Sequence, residues 1–148
     1  LLLGSHGGLR VSEMLNLTWA DVDLKGGELR VLEGKGKKTA RVSVSPKLAE
    51  ALHVYQRAAE VSGDGRENVL ELRTQFGVFN RLRNLCQRAE VTFKGVHALR
   101  HAAGTRLYRQ TGDLGQVQDH LRHSTLDMAR HYAKADRRRL RSSLESWD

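Results

Sequence analysis

The sequence predicts a mainly α-helical domain with one small antiparallel β-sheet. Apolar residues recur at helical spacing in several separate stretches, and capping or stopping residues stand at the ends of those stretches. Period-two alternation is confined to one region, between Val22 and Val44.

The first apolar run, Leu1-Leu2-Leu3, has no turn chemistry before it. It reads as a chain entered partway through a helix, and so as a piece of a larger protein. Gly7-Gly8 turns the chain into a short helix over Arg10 to Leu17, where Val11, Met14, Leu15 and Leu17 alternate with Ser12, Glu13 and Asn16. Thr18 to Asp21 closes that helix and leads into a strand over Val22 to Leu24. After the Gly26-Gly27 turn, residues 29–32 and 41–44 alternate as strands. The glycine-rich, basic segment Gly34-Lys35-Gly36-Lys37-Lys38 joins them into a hairpin.

Ser45-Pro46 has the form of an N-cap followed by a first helical residue. Leu48, Leu52, Tyr55 and Ala59 then repeat at helical spacing until Ser62-Gly63. Residues 63–68 form a loop. Thr74 caps a long helix whose stripe of Val78, Leu82, Leu85, Cys86 and Ala89 is expected to be buried. A connector over Thr92 to Gly95 precedes a helix from His97 to Arg109, stopped by Thr111-Gly112. A short helix follows over Leu114 to Leu121. Ser124 caps another that carries Met128 and Tyr132, and the charged tail 134–148 is helical in part.

At 148 residues the chain suits one domain spanning 1–148. Its 39% hydrophobic and 28% charged residues are a globular balance, and no apolar run is long enough to span a bilayer. Lys and Arg total 25 against 17 Asp and Glu, a net charge of +8, and the pI is near 10.1. Such a surplus favours a polyanionic partner, nucleic acid above all, through binding that weakens steeply with salt. Cys86 is the sole cysteine, which rules out an intrachain disulfide and fits a reducing, cytoplasmic setting.

Four stretches carry chemistry together: Gly8 to Glu13, the Gly34-Lys35-Gly36 segment, His97-Ala98-Leu99-Arg100-His101, and Leu121-Arg122-His123 with Tyr132 nine residues on. Cleaving a phosphodiester without a metal requires fixed cations for the charge that grows on the phosphate. It also requires a proton donor for the leaving oxygen and a side-chain nucleophile. Arg binds two phosphate oxygens at once and stays charged. His97 and Arg100, three apart on a helix, share one face. A lone His-x-x-Arg is more often a solvated helix face, so the weight rests on the four stretches jointly.

Together they resemble the tyrosine recombinase, or phage integrase, family. Residues 8–23 are similar to its first signature and Gly-Lys-Gly-Lys-Lys to its hairpin. His-Ala-Leu-Arg-His resembles its His-x-Leu-Arg-His box, and residues 121–132 resemble the closing box that ends at the nucleophile. The resemblance implies the catalytic-domain fold of that family, without the N-terminal DNA-clamping domain. By position it implies that Arg10 and Arg100 clamp the scissile phosphate and that His97 and His123 hydrogen-bond it. Lys35 would protonate the leaving 5′-oxygen, Glu13 would orient its cationic neighbours, and Tyr132 would form a 3′-phosphotyrosine. Neither metal nor cofactor nor ATP is implied. The implied partners are double-stranded DNA and other protomers in a DNA-bound tetramer at the nucleoid.

Two departures stand out. The closing box usually reads Leu-Gly-His, and Arg122 here either crowds the site or adds a phosphate contact. Ala102-Ala103-Gly104-Thr105 lies where an aromatic is common, which suggests a smaller core filler. Neither change removes a reacting group, so an active enzyme is expected. Lys35 competes with Lys37 and Lys38 and is preferred for its place between glycines. Tyr55 and Tyr108 lie within helices away from the boxes, where packing roles suit them. Arg137 to Arg141 contact DNA or form a solvated face.

Three other readings compete. His97 with His101, and His120 with His123, have spacings that zinc uses, although no adjacent Glu makes a zincin motif. A DNA-binding relative without catalysis and a type IB topoisomerase are the others.

Overall fold

The computed structural model describes residues 1–33, 38–125 and 129–132. Its described elements run α1 (Leu2–Ser5), α2 (Val11–Asn16), a 3-10 turn (Trp19–Asp21), β1 (Val22–Asp23), β2 (Glu28–Glu33), β3 (Lys38–Ser43), α3 (Pro46–Val61), α4 (Gln75–Arg88), α5 (His97–Thr111) and α6 (Leu114–Leu121). The expected class is observed: mostly helix, with a three-stranded antiparallel sheet in the order β1-β2-β3.

Local chemistry sets the ends. Ser45 Oγ accepts from the Leu48 N–H at 3.3 Å and Thr74 Oγ1 from the Gly77 N–H at 3.0 Å, so both expected caps are in place. Asp113 caps α6 by accepting from Gly115 and Gln116. The helix over His97 runs two residues past Arg109, to Thr111, and Gly112 ends it at φ 72° with its N–H on the Tyr108 carbonyl.

In the sheet, Leu29 pairs with Val42 and Val31 with Ala40. Leu29, Val31 and Val42 are at most 2% exposed, while Arg30 and Arg41 share the opposite face. β3 starts at Lys38 rather than Arg41 because the ladder continues through Thr39 to the pair Glu33 and Lys38. Two apolar clusters hold the fold. The larger unites Leu3, Leu9, Met14, Leu17, the inner sheet residues, Leu48, Leu52 and Val69. The smaller joins Ala103, Val117, Leu121, Ala129 and Tyr132. Each fully buried Leu contributes about 1.5–3 kcal/mol.

One expectation needs correcting. In α4 only Leu82 is buried, whereas Leu85 is 39% exposed and Ala89 lies at the surface. α4 rests chiefly on α2, above a cavity of about 210 Å³ bounded by Leu3, Met14, Tyr55, Leu82, Leu85 and Leu99, so its outer turns are left uncovered among the described residues. The helix expected from Ser124 is present at residues 129–132. Leu126 to Met128, the Lys35 and Lys37 positions and the tail from Ala133 lie outside the described residues.

Candidate active site

The site sits on the seam between the two clusters, where the segment before α2, helix α5 and the turn after α6 converge. Gly8 makes the approach possible. Its φ is 61°, and a Cβ there would lie 2.6 Å from Leu121 Cδ2. Its carbonyl accepts from Arg100 Nη1, and Arg100 Nη2 donates to the Leu121 carbonyl. Arg100 is therefore tied to two separate segments, at 2% exposure. Burial, then the neighbouring Arg10 and Arg122, lower its pKa to about 10, which still leaves it charged at neutral pH.

Arg10 precedes α2, and the third residue of that helix reaches back to it. Glu13 Oε2 accepts from the Arg10 backbone N–H at 2.6 Å, and Glu13 Oε1 meets Arg10 Nη1 at 2.8 Å. Arg10 Nη2 donates to the Arg122 carbonyl at 3.3 Å. The Arg10 side chain remains 40% exposed while that of Glu13 is 5% exposed. Burial pushes the Glu13 carboxyl up. The Arg10 N–H and the Arg122 and Arg10 charges outweigh it, so the carboxyl is held below the usual range.

Around Tyr132 the histidines gather. Its ring lies 6.3 Å from His123 and nearly parallel to it, at 13°. It is 5.2 Å from His101, which in turn lies 6.0 Å from His97. Tyr132 is 5% exposed, and burial raises its pKa against the opposing pull of Arg100. Burial first, then Arg100 and Arg10, lower His123 to about 4, so its imidazole is neutral at physiological pH. Beside these rings an open groove of about 680 Å³ runs along α5, lined in part by Lys94, His97, His101, Arg106 and Arg109.

Of the residues singled out from sequence, Arg10, Glu13, Arg100, His123, Tyr132 and His97 thus come together, while Lys35 lies outside the described residues. Sequence reasoning weighed His101 only as a zinc-spaced partner of His97 and gave it no part in the reaction, whereas its ring bridges His97 and Tyr132. It also missed the Gly8 and Leu121 carbonyls that hold Arg100, which no side-chain pattern reveals. Among the described residues no three His, Cys, Asp or Glu side chains are grouped to hold a metal. His120 instead bonds the His6 carbonyl at 2.9 Å. No described helix is long and apolar enough to cross a membrane.

A mainly α fold with arginines and histidines gathered round one buried tyrosine defines a narrow class, and comparison with known proteins identifies it. Residues 1–139 match the phage integrase family, and the chain belongs to that family. It is 33% identical over 137 residues to tyrosine recombinase XerC of Proteus mirabilis, covering 87% of this chain and 44% of that protein. The structure of XerA recombinase superposes with a TM-score of 0.82 at 25% identity, over 95% of this chain and 54% of that one. XerH site-specific recombinase, in a post-cleavage complex with its palindromic difH substrate, superposes with a TM-score of 0.79 at 26% identity, over 98% of this chain and 44% of that one. The chain thus spans about half the length of these relatives.

Proposed function

We propose that residues 1–148 are the catalytic domain of a longer site-specific recombinase, which cuts and rejoins double-stranded DNA through a covalent bond to Tyr132. The observation that carries this reading is the packing of Tyr132 between His101 and His123, within the field of Arg100. The Tyr132 oxygen attacks phosphorus, the bond to the 5′-oxygen breaks, and a 3′-phosphotyrosine forms. The tyrosine proton leaves toward the His97–His101 pair, and Lys35 supplies a proton to the departing 5′-oxygen. Arg10 and Arg100 hold the non-bridging oxygens, where charge grows, and neutral His123 donates a further hydrogen bond. A 5′-hydroxyl then displaces the tyrosine by the reverse path, so bond energy is conserved and neither metal nor ATP enters.

Recombination further requires protomers assembled as a tetramer on two DNA sites. The net charge of +8 and the basic groove along α5 favour such a DNA partner. The nucleoid is where the enzyme would act. The XerH complex with difH DNA supports the same substrate class for this chain.

The test uses the full-length enzyme on a nicked suicide substrate, with a denaturing gel to reveal protein–DNA adduct. Wild type is expected to trap DNA with or without chelator. Tyr132→Phe keeps the ring, the fold and DNA binding, and is expected to trap none. An adduct on Tyr132→Phe, or wild-type trapping abolished by chelator, would overturn the assignment. Exchange of strands between paired sites, rather than relaxation of a supercoil, separates a recombinase from a topoisomerase.

A further inference from the structure

Arg122 follows the last residue of α6 in the left-handed region, at φ 54° and ψ 47°. Side chains larger than Asn rarely occupy this conformation, because Cβ crowds the following carbonyl. Arg122 holds it with its side chain 5% exposed and both terminal nitrogens engaged. Nη2 meets Glu13 Oε2 at 2.6 Å and Nη1 donates to the His120 carbonyl at 3.0 Å. The guanidinium is thus turned inward, toward Glu13. Beside the two outcomes open from sequence, crowding or an extra phosphate contact, the geometry sets a third feature, an inward ion pair with Glu13.

The contacts instead close a ring. Glu13 holds Arg122 and both the N–H and guanidinium of Arg10, and the Arg122 carbonyl accepts from Arg10 Nη2. One residue earlier, the Leu121 carbonyl accepts from Arg100. One residue later stands His123. The turn 121–123 therefore supplies backbone acceptors to both arginines, and the Arg122 side chain adds a second tie from that turn to α2.

We propose that Arg122 is a positioning residue for the strand-transfer reaction: acting through Glu13 and through the turn it anchors, it sets the two arginines in place before DNA arrives. This rests on the reading of Tyr132 as nucleophile. Arg10 is half exposed and flexible by nature, and Glu13, shared between two cations, is the fixed point against which it is aimed. Without the Arg122 side chain, Glu13 retains one cation, its carboxyl takes up a proton at higher pH, and the turn keeps only the Arg10 contact to α2.

The variants are Arg122→Met, Arg122→Gly and Arg122→Lys in the full-length enzyme. Two readouts are taken: the cleavage rate of a suicide substrate at saturating DNA, and the Glu13 carboxyl titration followed by NMR. Arg122→Met is expected to cleave about tenfold to a hundredfold more slowly, as misplaced reacting groups do, with DNA half-saturation little changed. Arg122→Gly relieves the backbone and melts higher than Arg122→Met, yet is expected to cleave as slowly. That outcome separates positioning from stability. Arg122→Lys, which keeps the charge, is expected to recover part of the rate. Both uncharged variants should move the Glu13 titration, and the acid limb of the cleavage profile, to higher pH. Wild-type rates in Arg122→Met and Arg122→Gly, a defect confined to DNA half-saturation, or an unmoved Glu13 titration would each overturn the proposal. Were wild type itself to form no adduct, the Tyr132 reading would fail, and the Glu13 titration would still decide whether Arg122 is coupled to it.

Discussion

Tyr132 lies directly on Gly104. A Cβ at Gly104 would stand 2.6 Å from Tyr132 Cζ and 2.7 Å from Cε1, closer than side-chain carbons approach one another. Ala103 and Gly104 on α5 thus make a seat for the ring, completed by Leu121 and Ala129. The proposed nucleophile doubles as a core residue of the smaller cluster.

Gly104→Ala is therefore expected to have unequal effects in two backgrounds. In wild type the added methyl collides with the ring, at about 1–3 kcal/mol of overpacking. With Tyr132→Ala the ring is gone, Leu121 Cδ1 remains at 2.8 Å, and up to about 1 kcal/mol of helix propensity offsets that smaller cost. Urea unfolding of the four proteins measures the coupling, expected at about 1–3 kcal/mol. Equal effects of Gly104→Ala in both backgrounds would show that the ring does not rest there.

Much of this was legible because short-range chemistry decides it. Ser45 and Thr74 announced their helices by side-chain capping, and the alternation at Leu29, Val31 and Val42 fixed which sheet face is buried. The α4 stripe misled because periodicity states which residues share a face, not whether anything lies opposite; Leu85 meets a cavity edge. At the site, the side-chain types at Arg10, His97, Arg100, His123 and Tyr132 could be read from motif order. The inward turn of Arg122 could not, since it depends on a left-handed backbone and a carboxylate 109 residues away. The seat at Gly104 was equally hidden, because a glycine inside a helix reveals nothing of the ring that covers it.

His123 predicts an acid-sensitive fold. Its pKa falls from 6.5 to about 4 in the folded chain, through burial and then the charges of Arg100 and Arg10. Between those values the unfolded chain binds the proton and the folded chain does not. The stability is therefore complete above pH 6.5 and declines as pH falls toward 4. His101, His120 and His6 are lowered as well and add to the slope. In His123→Asn part of that slope should vanish. Its stability deficit relative to wild type is expected to shrink by on the order of 1 kcal/mol between pH 7.5 and 4.5, allowing for solvent screening at a half-buried ring. Urea unfolding at several pH values checks this, and parallel pH curves for the two proteins would refute it.

The last prediction concerns Lys35, which sequence places in the connection between β2 and β3, outside the described residues. If Lys35 is the general acid, its value lies wholly in the proton it gives the 5′-oxygen. An alkoxide is a poor leaving group unprotonated, whereas a thiolate departs without help. Lys35→Ala is thus expected to slow cleavage of ordinary DNA by on the order of 10²–10⁴, and to cleave DNA with sulfur at the bridging 5′ position at close to the wild-type rate. Lys37→Ala and Lys38→Ala are the controls, since a lysine that only neutralises backbone charge would weaken DNA binding and affect both substrates alike. Single-turnover adduct formation on the paired substrates, at saturating enzyme, reads this directly. A Lys35→Ala enzyme equally slow on both substrates, or selective sulfur rescue appearing at Lys37 or Lys38 instead, would move the acid elsewhere.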